Sequence, residues 1–305
     1  MGSKILVIGS SNTDMTVCAK EFPQAGETVI GGSFRMGQGG KGANQAVAAK
    51  KLGGDVSFVC KVGKDMFGKN SLEKYRESGL DVSRILYTDQ PSGVALITLN
   101  EKAENTIVVA AGANSDFTVE DVESLSDLIT QSDILLLQFE IPIASVLRAA
   151  EIAHNAGVTV VLNPAPASEI PGELLQYVSL LIPNECEASA ISGVRITDVQ
   201  TAREASKILK SNGVRNIIIT LGSKGSLLFG EEEHLVPAYN YNVEAVDTVA
   251  AGDTFCGGVC VALSEGKGLL DAVRFATAAS AIAVTRPGAQ ESIPDREEVE
   301  KLLTN

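Results

Sequence analysis

Ile134-Leu135-Leu136-Leu137 is followed by Ile143–Asn155 and then by Val158-Thr159-Val160-Val161-Leu162. Two uninterrupted apolar runs thus enclose a segment whose apolar residues recur at helical spacing. Short continuous runs are typical of strands buried on both faces of a parallel sheet, and a helix is the usual connection between parallel strands. Gly157 stands two positions after the central segment, as glycine often follows the end of a helix. The stretch therefore predicts a strand–helix–strand unit.

The same alternation continues on both sides of this unit. Further apolar runs occupy Ile5–Ile8, Val56–Cys60, Ser179–Ile182 and Ile217–Leu221. Helical patterns occupy Ala43–Leu52, Phe67–Ser78, Val119–Leu128, Glu185–Ile191, Ala202–Asn212, Gly252–Glu265, Leu269–Thr285 and Asp295–Leu303. This order predicts an α/β fold with a doubly wound, mostly parallel central sheet flanked by helices. Because no linker interrupts the pattern, residues 1–305 are predicted to form a single domain.

Two stretches depart from the alternation and predict a small projecting sheet. Gly26–Met36 and Gly93–Gly112 have the pattern of antiparallel strands, and neither is followed by a crossover helix. The second predicts a hairpin of Val94–Leu99 and Thr106–Ala110. We expect these strands, within about 15–36 and 92–112, to form a lid over the main domain.

Composition excludes several classes of function. The chain has 25 Lys and Arg against 38 Asp and Glu, a net charge of −13. Nucleic acids and anionic membranes are bound through clustered Lys and Arg, so this acidic chain is predicted to bind neither. Two histidines and five cysteines without a Cys-x-x-Cys pair argue against zinc and for buried thiols in a reducing compartment. No apolar run has the length of a membrane span, and the first is too short for a signal peptide, so we expect a soluble, cytoplasmic protein.

The most glycine-rich segment is Gly37-Gln38-Gly39-Gly40-Lys41-Gly42-Ala43-Asn44-Gln45. It formally contains Gly-x-Gly-x-x-Gly, but a dinucleotide-binding loop should directly follow the first strand, which ends about thirty residues earlier. A Walker A loop is excluded because Arg35 and Gly42 stand at two of its fixed positions. The segment predicts a turn that opens a helix and brings backbone, Lys41 and Asn44 close to a polar ligand. A flexible loop is the alternative.

A second small-residue segment, Val246–Gly258, precedes and enters an apolar helix. The free amides of Ala251, Gly252 and Asp253 would point out of the helix N-terminus and form an anion hole. Asp253 would lie beside the anion, where a carboxylate is unfavourable unless it serves as general base for an attacking hydroxyl. The alternative is that Asp253 only complements the helix dipole.

Polar residues also follow several predicted strands. Asn184 and Glu187 have the spacing of a capping box, and both side chains could also organise a hydrated Mg²⁺ at the sheet edge, since the two roles are compatible. Thr220-Leu221-Gly222-Ser223-Lys224-Gly225 lies where open α/β sheets bind ligands, with a hairpin turn as the alternative. Asn12 and Asp14 suit sugar hydroxyls, with an Asx-turn as the alternative, and Glu140 is a similar candidate.

Together these segments resemble the PfkB family of carbohydrate kinases, and the resemblance covers essentially the whole chain. Its most specific parts are Gly39-Gly40-Lys41-Gly42-Ala43-Asn44-Gln45-Ala46-Val47-Ala48 and Asp247-Thr248-Val249-Ala250-Ala251-Gly252-Asp253-Thr254-Phe255, which are similar to the two signature regions of the family. Asn163-Pro164-Ala165-Pro166-Ala167 and Thr220–Gly225 resemble members that act on ribose.

The resemblance implies ATP-dependent phosphorylation of D-ribose at its 5-hydroxyl, which gives D-ribose 5-phosphate and ADP. It implies that Asp253 is the general base, with an anion hole at the amides of Ala250, Ala251, Gly252 and Asp253. Ribose would be held by Asn12, Asp14, Gly40, Lys41, Asn44, Glu140 and Asp253. ATP would lie along Asn184, Thr220, Gly222, Ser223, Lys224, Gly225, Gly252 and Thr277, with Glu187 near hydrated Mg²⁺.

The resemblance further implies a monovalent cation, K⁺, beside the anion hole, and a homodimer formed through the lid. The implied cation positions are Asp247, Val249, Ala283, Arg286, Gly288 and Ser292. Thr277 departs from the Asn or His expected near adenine, which weakens the assignment of that contact.

Other functions remain open on the sequence alone. Within the family, the substrate could be deoxyribose, fructose, another sugar or a nucleoside. A nucleoside would need apolar room for a base, and the lid sequence offers only the scattered Ile30, Phe34 and Val94. A non-catalytic sugar- or nucleotide-binding protein is disfavoured because Asp253 and Gly252 are both present. An NAD-dependent oxidoreductase is disfavoured by the misplaced glycine motif.

Overall fold

The computed structural model describes residues 3–102, 104–239 and 245–304. Its strands are β1 (Lys4–Ile8), β2 (Asn12–Cys18), β3 (Phe34–Gly39), β4 (Asp55–Val59), β5 (Lys61–Gly63), β6 (Leu86–Thr88), β7 (Gly93–Leu99), β8 (Asn105–Ala110), β9 (Ile134–Leu137), β10 (Thr159–Leu162), β11 (Leu180–Leu181), β12 (Asn216–Thr220), β13 (Ser226–Phe229) and β14 (Glu233–Val236). Its α-helices are α1 (Lys41–Lys51), α2 (Met66–Glu77), α3 (Val119–Ser124), α4 (Ser126–Thr130), α5 (Ile143–Asn155), α6 (Gly172–Tyr177), α7 (Glu185–Ser192), α8 (Val199–Ser211), α9 (Ala251–Ser264), α10 (Leu269–Ala283) and α11 (Arg296–Thr304).

The main sheet has the strand order β14-β13-β12-β11-β10-β9-β1-β4. The strands from β12 to β4 run parallel, and β13 and β14 form an antiparallel edge. The chain passes from β1 to β4 on one side and later to β9 on the other, so the strand order reverses at β1. In open α/β sheets, ligands bind beyond the carboxyl ends of the strands at such a switch point.

Both faces of this sheet are buried, which accounts for the uninterrupted apolar runs. Ile5 and Val7 contact the core formed with α1, α9 and α10, whereas Leu6 and Ile8 contact the core formed with α5 and α8. Alternate residues of a strand point to opposite faces, so one strand supplies both cores. The predicted doubly wound α/β sheet is therefore confirmed.

A second sheet, with the order β3-β2-β7-β8, matches the predicted lid. The hairpin of β7 and β8 is confirmed; β3 pairs antiparallel with β2, and β2 runs parallel to β7. The first lid strand begins at Asn12, shortly after β1 ends at Ile8, because pairing with β3 and β7 outweighs the poor strand propensity of its polar residues. The expected strand over Gly26–Met36 is wrong in its first part: Glu27 closes a turn onto Gln24, and the strand begins only at Phe34.

One predicted helix is broken. The pattern over Val119–Leu128 predicts a continuous helix, whereas α3 ends at Ser124 and α4 begins at Ser126. The hydroxyls of these two serines donate to the backbone carbonyls of Asp121 and Glu123, a bond that competes with regular helix geometry.

In the described part of the chain, no helix combines the length and the apolarity that a membrane crossing requires.

Candidate active site

The carboxyl ends of the central strands meet beneath the lid in a cavity of about 430 Å³. The predicted residues that line it are Asn12, Asp14, Gly40, Lys41, Asn44, Glu140, Asn184, Glu187, Thr220, Val249, Ala250, Gly252 and Asp253. The cavity lies beside the switch point of the main sheet. Folding thus brings the predicted sugar-binding residues, the predicted base and part of the predicted nucleotide-binding set into one site.

The first turn of α9 faces this cavity. Ala250 has a φ of 58°, a left-handed conformation that no other described non-glycine residue adopts and that is uncommon without glycine. The amides of Ala251 and Thr254 donate to nearby backbone carbonyls, whereas those of Gly252 and Asp253 have no hydrogen-bond partner among the described residues. Ala251, predicted as an anion-hole donor, is therefore already engaged. Gly252 and Asp253 supply two free amides at the positive end of the helix dipole, which is suited to an anion.

Asp253 is buried, and both of its carboxylate oxygens are hydrogen-bonded. Oδ2 accepts from Asn44 Nδ2 at 3.0 Å, and Oδ1 accepts from Gln45 Nε2 at 3.0 Å. These contacts require α1 and α9 to approach closely. Gly257 permits the approach, because a Cβ added there would lie 2.8 Å from the Cβ of Ala48. Asp253 thus does more than complement the helix dipole, since it is fixed by two amides and faces the cavity.

Carboxylates and one lysine form the opposite wall. Glu140 Oε2 accepts from the hydroxyl of Ser10 at 2.6 Å and from the amide of Lys41 at 2.9 Å. Burial, reinforced by the charge of Glu140, raises the pKa of Asp14 to about 7. Burial acts to lower the pKa of Lys41, but the nearby charges of Asp253, Glu140 and Glu187 act in the opposite direction, and the pKa is raised. The site therefore holds a fully charged ammonium beside carboxylates, a set of groups that suits the hydroxyls of a small polyol.

Asn12 is oriented by a residue that the sequence did not indicate. Asn12 Oδ1 accepts from Asn114 Nδ2 at 2.7 Å, and Asn114 Oδ1 accepts from the amide of Ser11 at 2.9 Å. Gly93 lets these groups meet, because a Cβ there would lie 2.2 Å from Asn12 Oδ1. Asn12 belongs to strand β2, so the alternative of an isolated Asx-turn is wrong. Its Nδ2 donors remain available to a ligand.

Asn184 and Glu187 form the capping box that their spacing predicts. The amide of Glu187 donates to Asn184 Oδ1 at 2.8 Å, and the amide of Asn184 donates to Glu187 Oε2 at 2.9 Å, which forms the capping box of α7. Both residues also line the cavity. Burial raises the pKa of Glu187. Carboxylate oxygen is a preferred magnesium ligand, and because both oxygens accept hydrogen bonds already, the residue suits contact with a hydrated ion.

Several predicted nucleotide-binding residues lie outside the cavity lining: Gly222, Ser223, Lys224, Gly225 and Thr277. Thr220–Gly225 forms the hairpin turn between β12 and β13, as the alternative predicted. Lys224 Nζ lies 3.6 Å from Glu185 Oε1. The hydroxyl of Thr277 donates to the carbonyl of Val273 in its own helix at 2.7 Å. These residues stay predictions for the outer part of a nucleotide site.

Of the predicted cation positions, Val249 alone lines the cavity. Asp247 joins two of the segments, because its carboxylate accepts from the amides of Val249 and Gly288, each at 3.0 Å. The amide of Arg286 donates to the carbonyl of Ala283 at 3.1 Å. The hydroxyl of Ser292 donates to the backbone carbonyl of Ala289 at 2.7 Å. Among the described residues, no three His, Cys, Asp or Glu side chains cluster as metal ligands.

The apolar wall of the cavity is larger than the sequence suggests. Ala95, Ile97, Ile107 and Val109 of β7 and β8 line it, whereas the expectation rested on Ile30, Phe34 and Val94. That expectation is wrong because the face on which a lid residue lies depends on strand register, and Ala95 pairs with Val109 and with Asp14 across the sheet. The apolar residues of the lid therefore give no argument against a nucleoside substrate.

Comparison with known proteins shows the family to which the chain belongs. A model described as pfkB family carbohydrate kinase matches residues 3–296. The chain belongs to the PfkB family of carbohydrate kinases. The match includes both glycine-containing segments that form the cavity, so the family assignment covers the site as well as the fold.

Relatives within the PfkB family include sugar kinases that cover the whole chain. A ribokinase from Haemophilus influenzae is 41% identical over 304 residues, with 99% of each chain covered. A deoxyribokinase from Salmonella typhimurium is 34% identical over 305 residues, with 98% of each chain covered. The solved structure of Arabidopsis thaliana ribokinase complexed with ribose and ATP has a TM-score of 0.92 at 33% identity and covers 100% of both chains.

Proposed function

We propose that this PfkB-family protein transfers the γ-phosphoryl group of ATP to the 5-hydroxyl of D-ribose. The observation that carries the proposal is the position of Asp253. Its carboxylate lies beside two free helix-terminal amides and faces the same cavity as Asn12, Asp14, Lys41 and Glu140. A candidate base, two free amides suited to an anion and a polar wall suited to a polyol thus line one cavity. The ribokinases of 34–41% identity support ribose as the substrate.

The reaction follows from this arrangement. Asp253 accepts the proton of the sugar hydroxyl as the hydroxyl oxygen bonds to the γ-phosphorus, and the bond between that phosphorus and the bridging oxygen of ADP breaks. The amides of Gly252 and Asp253 stabilise the charge that develops on the transferred group. Asn44 holds the base, while the ammonium of Lys41 stays charged. The protein contributes positioning and electrostatics and forms no covalent intermediate.

Two cations fit the site and belong to the proposal. Glu187 would contact hydrated Mg²⁺, which neutralises phosphate charge when bound. The carbonyls of the Asp247–Val249 and Arg286–Gly288 segments, joined by Asp247, would hold K⁺. The role of this chain there is to keep the loop before α9 in the conformation that exposes the amides of Gly252 and Asp253.

The proposal is tested by ADP release with ribose, deoxyribose, fructose and nucleosides, with and without K⁺. We expect ribose to give the highest kcat/KM and K⁺ to raise the rate. In ³¹P NMR, a phosphate on the primary 5-hydroxyl couples to two protons and gives a triplet, whereas a secondary hydroxyl gives a doublet. Higher activity with another sugar or a nucleoside would reassign the substrate. Absence of activity with every acceptor would favour a non-catalytic binding protein.

A homodimer through the lid completes the proposal. Met36, Met15, Leu96 and Val108 are register partners across the four strands of the lid sheet and form an apolar row on the face opposite Asp14. Leu96 is 53% exposed and Val108 is 68% exposed. A second copy of the lid would cover this row. Leu96→Lys should give monomers in sedimentation velocity, and an unchanged sedimentation coefficient would contradict the dimer.

A cytoplasmic location is likewise proposed. All five cysteines are free thiols, which is typical of a reducing compartment.

A further inference from the structure

Asp253 contacts two neighbouring side chains of α1 that have different surroundings. Asn44 lines the cavity, so a sugar can compete for it, whereas Gln45 does not line the cavity and is completely buried. A ligand in the cavity therefore has no direct access to Gln45, the donor of the bond from Nε2 to Asp253 Oδ1.

A chain of buried amides fixes the orientation of Gln45. Gln45 Oε1 accepts from Gln138 Nε2 at 2.6 Å, and Gln45 Nε2 donates to Asn163 Oδ1 as well as to Asp253. Asn163 Nδ2 donates in turn to the carbonyl of Ile182 at 2.9 Å. A reversed Gln45 amide would place its oxygen against both acceptors, so only the observed orientation satisfies all of its groups.

One buried oxygen at the far end of this chain has no partner. Gln138 Oε1 makes no hydrogen bond to any described residue, although Gln138 is completely buried. A buried acceptor without a partner costs free energy, and such exceptions call for a functional or structural reason. Here the reason is available in the contacts: Gln138 presents its NH₂ group to Gln45, which leaves its own oxygen unsatisfied.

We propose that Gln45, held by Gln138 and Asn163, is a positioning residue that donates to Asp253 Oδ1 and thereby keeps the carboxylate aimed at the sugar hydroxyl. This inference rests on the proposed function of Asp253 as general base. A donor to a carboxylate favours its charged form. The amide also stops rotation of the carboxylate about its Cβ–Cγ bond, because Asn44 and Gln45 hold opposite oxygens.

The test measures kcat from pH 5 to 9 for the parent protein, Gln45→Met and Gln45→Glu. Methionine has a similar size but cannot donate, so kcat should fall about 10- to 100-fold through misplacement of the base. The acidic limb of the kcat profile should move upward by about one pH unit. Glutamate would share a proton with Asp253 and should move the limb further in the same direction. KM for ribose should change less than about threefold, since Gln45 does not line the cavity.

Two further variants separate this role from simple loss of packing. Gln138→Met leaves Gln45 in place and should give a smaller upward shift, which keeps the test usable if Gln45→Met does not fold. Gln38→Met removes another buried glutamine, whose Oε1 accepts from the hydroxyl of Ser71. The acidic limb of the kcat profile of Gln38→Met should coincide with that of the parent protein.

The outcomes are distinguishable. In the first outcome, the parent protein releases ADP with ribose while the Gln45 and Gln138 variants keep the parental acidic limb. That result overturns this inference and leaves the proposed function standing. An upward shift shared equally by Gln38→Met would show a packing effect and also overturn the inference. A parent protein without kinase activity overturns the proposed function and the inference with it.

Discussion

Replacing Gly252 by alanine should separate stability from activity. Gly252 is an exposed residue in the first turn of α9, and an added Cβ would meet no protein atom within 4 Å. Its φ lies outside the left-handed region, so alanine is tolerated there. Because alanine is the better helix former, Gly252→Ala should raise the free energy of unfolding by about 0.5–1 kcal/mol.

The same methyl group should reduce catalysis. Gly252 lines the cavity, and a Cβ in its open space would keep a phosphoryl group from the amides of Gly252 and Asp253. Loss of one preorganised donor typically lowers kcat by about 10²–10³-fold. Steady-state ADP release with saturating ribose and ATP would give kcat, and urea unfolding would give the stability.

A matched control is Gly172→Ala. Gly172 is also exposed, lies in the first turn of a helix and has no atom within 4 Å of an added Cβ, but it lies outside the cavity lining. It should show the gain in stability without the loss of kcat. A Gly252→Ala protein with parental kcat would refute the anion hole at α9, and a destabilised one would refute the geometric argument.

Three further predictions concern the surroundings of the base. Since burial raises the pKa of Asp14 to about 7, folding favours the protonated form, and this group lowers the free energy of unfolding as the pH rises from about 4 to 7. Asp14→Asn should flatten that part of the stability–pH curve in urea unfolding and should raise KM for ribose at pH 8. An unchanged curve would contradict the burial argument. Gly257→Ala should lower both the free energy of unfolding, by about 1–3 kcal/mol, and kcat. The new Cβ would lie 2.8 Å from the Cβ of Ala48 and would force α9 away from α1. A kcat equal to that of the parent protein would show that this spacing does not position Asp253. Asp247→Ala should abolish stimulation of ADP release by K⁺, because the two carbonyl segments lose their common anchor, and retained stimulation would place the cation elsewhere.

The main sheet was predictable because its strands are buried on both faces. Ile5–Ile8 and Ile134–Leu137 are uninterrupted apolar runs, and that pattern does not depend on pairing partners. The lid was predicted less well. Strand β2 is rich in polar residues and forms because β3 and β7 lie beside it, which is a tertiary effect that local propensity does not contain.

Within the site, residues next to glycine, at a helix start or just after a strand were predictable, and residues that act at a distance were not. Lys41, Asn44 and Asp253 lie in segments whose small residues indicate close approach to a ligand. Asn114 and Gln138 lie in segments without such a signal, and they reach the site only through folding of remote elements. The apolar residues that line the cavity from the lid depended on strand register, which the sequence alone did not determine.

The central claim is that Asp253 removes the proton from the sugar hydroxyl, and kcat of Asp253→Asn tests it most directly. Asparagine keeps the size of the side chain but cannot accept that proton, so kcat should fall by at least about 10²–10⁴-fold. Calorimetric affinity for ATP should stay within about threefold, which would show that the site is intact. A kcat close to that of the parent protein, in a variant that still binds ATP, would contradict the assignment of Asp253 as the base.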